Sequence, residues 1–192
     1  MADARSPLSH LDGAALIERG KVCLTENPDL GKVNLRAEPD DAAMHVAIWD
    51  VVNLDLPRTP NTSTETPPLS ALWLAPDEWM LVCASGSETD VITSLEYATL
   101  DFHASVVDVT DAYTILRLSG ASARELLAKG CSLDLHQRAF ALGDVAQTML
   151  AKVSIILHQT AIDVDEAGPV FDIYVPRSFA DYLWAWFDDA IG

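Results

Sequence analysis

Apolar and polar positions fall into short, regular blocks from residue 69 to the C-terminus. ALWLAP and EWMLVCA read as two strands flanking Pro76-Asp77, a pair suited to a turn. Ser87 can cap a helix running to about Ala98, with Val91, Ile92, Leu95 and Ala98 on one face. HASVVDV and YTILRLS predict two more strands around Thr110-Asp111. A helix over residues 121–129 follows, with Ala123, Leu126 and Leu127 as its apolar stripe and Gly130 placed for a left-handed C-terminal cap. VAQTMLAKV and SIILHQT are strand-like, DVDEAG is a turn and VFDIYV is a strand. A last helix starts near Pro176 and reaches the C-terminus. The predicted order from residue 70 is β-β-α-β-β-α-β-β-β-α.

The first 68 residues lack this regularity. A short helix is predicted over residues 11–19, stopped by Gly20. Val22 to Leu24 forms a short apolar piece, and MHVAIW (residues 44–49) has partial strand alternation. PRTPNTSTETPP, residues 57–68, cannot hold a helix or an inner strand and reads as a loop or linker. The expected division is therefore an N-terminal arm with its Pro/Thr-rich loop, residues 1–68, ordered by a partner, and a core over residues 69–192. Within that core EWMLVCASGSETDVITSL and FDIYVPRSFADYLWAWF echo one another as strand, polar break and amphipathic helix. The echo predicts an α+β fold of two interleaved ferredoxin-like halves with antiparallel sheet.

Charge narrows the function classes. The chain carries 29 acidic against 12 basic residues, a formal net charge of -17. Nucleic acid and anionic membrane surfaces both call for basic patches, so neither is an expected partner. No apolar run approaches the ~20 residues of a membrane-spanning helix, and the N-terminus has no apolar core of signal-peptide length. Three widely spaced cysteines, with no CxxC, suit a reduced compartment, and a cytoplasmic location is expected.

KGCSLDLHQRAF, residues 129–140, holds the most suggestive chemistry, since Cys131 and His136 are a possible nucleophile and base or a pair of metal ligands. Cys131, however, lies just past a predicted helix C-terminus, whose partial negative charge raises a thiol pKa. Two ligands with no second Cys/His pair do not make a zinc site. Cys131 is expected to pack as a small apolar residue. Asp163-Val164-Asp165 starts like a calcium loop, but Ala167 and Tyr174 occupy ligand positions, which leaves a solvated turn. Asp108 and Asp111 flank a predicted hairpin corner, where carboxylates ordinarily bond the turn backbone. No catalytic, cofactor-binding or metal residue is expected.

The C-terminal helix suggests an interface instead. At about 100° per residue, Phe179, Tyr182, Leu183, Trp186, Phe187 and Ala190 share one predicted core face. Trp184 then points outward, a residue type that anchors interfaces, with Arg177 as a polar neighbour at the helix start.

VDVTDAYTILRLSGASARELLAKGCSLDLHQRAF, GDVAQTMLAKVSIILHQ and FDIYVPRSFADYLWAWFDDA together resemble the gamma subunit of heterotetrameric sarcosine oxidase, and LAPDEWMLV upstream also fits. The resemblance spans residues 70–192 and is loose before residue 60. It implies a fold similar to the folate-binding domain of glycine-cleavage aminomethyltransferases. It also implies membership of a complex that converts sarcosine to glycine, hydrogen peroxide and methylene-tetrahydrofolate. The alpha, beta and delta subunits would be its partners, and FAD, FMN, NAD and tetrahydrofolate would be bound by other subunits. No family site residue carries over. The competing reading is an independent folate-binding protein or one-carbon transferase. Lys129-Gly130-Cys131 opens the KGC signature of the folate-dependent proteins that support iron-sulfur enzymes, but Ser132-Leu133-Asp134 replaces its continuation.

Overall fold

The computed structural model describes residues 6–11, 16–19, 21–161 and 168–192. In chain order the elements are β1 (Leu16–Arg19), β2 (Val22–Glu26), β3 (Gly31–Ala37), α1 (Ala42–Val52), β4 (Ser63–Thr66), β5 (Leu69–Ala75), β6 (Glu78–Cys83), α2 (Glu88–Ala98), β7 (Ala104–Asp108), β8 (Tyr113–Ser119), α3 (Ala123–Ala128), β9 (Val145–Leu150), β10 (Val153–Ala161), β11 (Val170–Pro176) and α4 (Ala180–Ile191). From β5 onward the order is the predicted one. The chain forms two compact units, one from Met1–Pro28 with Ala112–Gly192 and the other from Asp29–Asp111.

The second unit holds a five-stranded sheet ordered β4-β5-β6-β3-β7, with every pair antiparallel. Without its edge strand β4, it runs β3-α1-β5-β6-α2-β7, the ferredoxin-like succession. Alternation decides which face is buried. Val33, Leu35 and Ala37 on β3 join Trp79, Leu81 and Cys83 on β6 beneath Met44 and Ile48 of α1 and Val91 and Leu95 of α2. A polar row pins the register of β3 against β6: Arg36 lies opposite Glu78 and its Nη2 donates to Glu78 Oε2 at 2.6 Å, while Asn34 Nδ2 donates to Glu78 Oε1 at 2.8 Å.

The first unit holds a six-stranded sheet ordered β1-β2-β8-β11-β10-β9, also antiparallel. Here β8-α3-β10-β11-α4 follows the same succession, and its closing strand, beside β8, is β2 from the far end of the chain. Leu24, Leu116, Leu118, Leu157, Phe171 and Ile173 from the sheet pack with Leu127, Leu183 and Phe187 from the helices. The expected pair of interleaved ferredoxin-like halves is the observed architecture.

The N-terminal third departs from expectation. The division at residue 68 gives way to breaks at residues 28/29 and 111/112, because β3 pairs on both sides inside one sheet and β2 pairs with β1 and β8 in the other. The supposed arm is integral to both units. MHVAIW is part of helix α1: Asp41 caps it through side-chain bonds to the N–H groups of Ala43 and Met44, and Asn53 stops it with φ 51°. Residues 16–19 form a strand where a helix was expected; residues 12–15 and Gly20 lie outside the described residues. The Pro/Thr-rich loop contributes the edge strand β4. Strands β7 and β8 belong to different sheets, so Asp108 and Asp111 do not flank a hairpin. Of the predicted turn DVDEAG, residues 163–167 lie outside the described residues.

Candidate interaction surface

The stretch around Cys131 is structural. Cys131 is buried in the core cluster and bridges to Leu150, and its N–H donates to the Leu127 carbonyl at 2.9 Å. His136 is exposed in the following loop; its backbone N–H is held by Asp134 and its Nδ1 accepts from the Arg138 N–H at 3.2 Å. Gly130 is not left-handed, contrary to expectation. A Cβ there would lie 2.7 Å from the Trp186 ring, so the glycine is required for close approach. Asp108 bonds the Thr110 N–H at 2.9 Å in the ordinary manner of a turn carboxylate. Among the described residues no group of three His, Cys, Asp or Glu side chains could hold a metal.

Two further titratable sites escaped the sequence reading. Arg117, Asp172 and His158 stand opposite one another on β8, β11 and β10, on the sheet face turned from α3 and α4. Arg117 Nε and Nη2 each donate to Asp172 at 2.7 Å. Burial pushes the His158 pKa down to about 4; Asp172 opposes that shift and Arg117 adds to it. A neutral histidine beside a closed ion pair fixes the sheet's polar row. Cys83 is equally inert: burial, then Glu88 and Asp108, push its thiol up to about 11, against a smaller opposing effect of Lys32.

The C-terminal helix is turned relative to the expected face. Ala180, Leu183, Trp184 and Phe187 are buried, whereas Phe179 and Tyr182 are about half exposed. Trp184 is 9% exposed and belongs to the core; Trp186 packs at its margin. The chain's own N-terminus explains the reversal. His10 and Arg19 pair with Asp181 and Asp188, roughly one turn either side of Trp184, and Leu8 and Ile17 enter the same core. Arg177 is half-buried in a 3-10 turn, Arg177–Phe179, ahead of the helix.

Helix α1 exposes an apolar stripe. Its one ionic residue is Asp50, and it is apolar nearly all round, the composition of a helix covered on more than one side. Met44, His45 and Ile48 face its own unit, and His45 Nε2 contacts the Pro39 carbonyl at 3.0 Å. The other side carries Ala42, Val46 and Trp49, spaced to form one stripe, with Val46 59% and Trp49 41% exposed.

Known proteins supply the identity. The model of the sarcosine oxidase, gamma subunit family matches residues 36–192. The chain belongs to this family. Sarcosine oxidase subunit gamma of Corynebacterium sp. (strain P-1) is 30% identical over 191 residues, 97% of this chain and 89% of the relative. Its counterpart from Arthrobacter sp. is 31% identical over 159 residues, 81% of this chain and 77% of the relative. A chain of heterotetrameric sarcosine oxidase from Corynebacterium sp. U-96, solved in complex with pyrrole 2-carboxylate, matches with a TM-score of 0.84 at 26% identity, covering 98% of this chain and 94% of that one. Glycine cleavage system aminomethyltransferase T from Bartonella henselae matches with a TM-score of 0.67 at 16% identity, covering 94% of this chain and 56% of that one, which shows a shared fold. In this gamma-subunit family member the KGC stretch is engaged within the chain. Lys129 Nζ is committed to the Ala190 carbonyl at 2.5 Å, Gly130 lies under Trp186 and Cys131 is in the core.

Proposed function

We propose that this chain is the non-catalytic gamma subunit of a heterotetrameric sarcosine oxidase and acts by packing against a larger subunit. The observation that carries the reading is the match over almost the full length to a chain of such a complex. The chain's own chemistry supports it, since Cys131, Cys83, His158 and Asp172 are all engaged in structural roles. The alpha, beta and delta subunits are the partners. They hold the FAD, FMN, NAD and tetrahydrofolate with which sarcosine becomes glycine, hydrogen peroxide and methylene-tetrahydrofolate.

The docking surface is the Val46-Trp49 stripe of α1, which replaces Trp184 as the aromatic anchor. A larger subunit of the complex is its occupant, because a helix this poor in charge is ordinarily covered on both sides. Arg177 is a rim candidate. Trp49→Ala should cost on the order of 2 kcal/mol of assembly, roughly thirtyfold in affinity, with the circular dichroism and Tm of the chain unchanged. Pull-down with co-expressed partner subunits reads the first, and thermal melting of the chain reads the second. Undiminished assembly by Trp49→Ala removes α1 as the docking surface.

A further inference from the structure

Arg124, on α3, forms no ion pair among the described residues. Its Nη1 donates to the carbonyls of Leu135 and Phe140, the latter at 3.0 Å, and its Nη2 donates to Gln159 Oε1 at 2.9 Å. Its guanidinium lies 5.3 Å from the Phe171 ring centroid. All three acceptors are neutral. The Nε–H and one Nη2 hydrogen find no acceptor among the described residues, and no described carboxylate pairs with this guanidinium. Gln159 is 1% exposed and spends its amide N–H on the Ala161 carbonyl, so the orientation of the fork is built in. Partial burial lowers its pKa, though a guanidinium keeps its proton at any ordinary pH.

The same guanidinium lines a hollow of about 470 Å³, shared with His136, Arg138, Leu142, Gln159 and Pro169. Arg138 is exposed and forms no ion pair with a described residue. His136 Nδ1 accepts from the Arg138 N–H, which assigns the hydrogen of the neutral ring to Nε2 and makes that atom a donor. The nearby carboxylates of Asp134 and Asp144 are turned to backbone N–H groups, of His136 and Ala141 respectively. Among the described residues that line this hollow, the charged and titratable side chains are two arginines and a histidine.

We propose that this hollow binds an oxyanion, the carboxylate or phosphate group of a small molecule, with Arg124 and Arg138 as charged donors, His136 Nε2–H as a third, and Leu142 and Pro169 against its apolar remainder. The planar fork suits both groups, which accept paired N–H bonds. The site does not depend on assembly with other subunits, so it stands or falls apart from the proposed function.

The test titrates the full, isotope-labelled chain with acetate and with inorganic phosphate at constant ionic strength, following the Arg124 Nε–Hε signal and the amides of residues 136–142 by NMR. Saturation by at least one anion, with Kd on the order of millimolar, is the expected result. Arg138→Gln should weaken it about tenfold with Tm unchanged. Arg124→Lys should abolish it and also loosen the loop it latches, so Arg138→Gln is the cleaner variant. Shifts that grow linearly with both anions and never saturate, or equal affinity in Arg138→Gln, overturn the proposal.

Discussion

His158 is held neutral at pH values where an ordinary histidine is charged. In the unfolded chain its pKa is near the usual ~6.5, and in the folded chain it falls to about 4. Between those values the unfolded state binds the extra proton, so stability is complete above pH ~6.5 and declines as pH falls toward 4, by about 3 kcal/mol for this group. An NMR titration should place the His158 midpoint near pH 4; a midpoint near 6.5 contradicts the burial. Gly130 makes a second residue-level prediction. Its φ is not positive, so alanine there costs through contact with Trp186. Gly130→Ala should lose about 1–3 kcal/mol, and Gly130→Ala with Trp186→Leu should lose less than the two single losses added together. Additive melting temperatures would show that the ring is not what the methyl strikes. The need for glycine was legible at this position, but its cause was not, because Trp186 lies far away in sequence.

At the scale of elements, α4 shows how two apolar stripes on one helix mislead. Residues 179, 182, 183, 186, 187 and 190 are apolar or aromatic, and so are 180, 183, 184, 187 and 191, roughly one residue step further round. The choice is made by Leu8, Ile17, His10 and Arg19, which periodicity within the helix does not report. Trp184→Ala should therefore cost about 3–5 kcal/mol of stability, and Trp186→Ala less; the reverse order, by chemical denaturation, would restore the face first expected. The β9-β10 hairpin turns at Ala151 and Lys152, both left-handed with φ 50° and 70°. An Asn-Gly pair suits this turn better, and Ala151→Asn with Lys152→Gly should add about 1 kcal/mol; a lower Tm would contradict the turn. MHVAIW, within α1, shows partial strand alternation because Met44, Val46 and Ile48 alternate, while Met44 and Ile48 also fit a helix. Six residues cannot separate the periods, and Asp41 and Asn53 were the missing signals. For β3 the alternation of Val33, Leu35 and Ala37 against Lys32, Asn34 and Arg36 is legible in the sequence.

For the whole molecule, the order of elements after residue 69 was readable because apolar blocks there are separated by breaks such as Pro76-Asp77, Thr110-Asp111 and Gly130. The division into units was not readable. It depends on β2 finding β8, with Cys23 opposite Ser119, and on β3 entering between β6 and β7, pairings that no local pattern encodes. The interface residue moved for the same reason, since the N-terminal segment expected to lie on a partner covers Trp184 itself. Family membership and fold point to one role, a gamma subunit that works within a complex. The most direct measurement is affinity purification of the tagged chain from its own cell, with sarcosine-dependent peroxide assayed on the eluate and on the chain alone. The account predicts co-elution with the flavin-bearing subunits of a sarcosine oxidase, peroxide from that complex and none from the colourless chain by itself. A chain that elutes alone, or that oxidises sarcosine or binds tetrahydrofolate at micromolar concentration unaided, would contradict it.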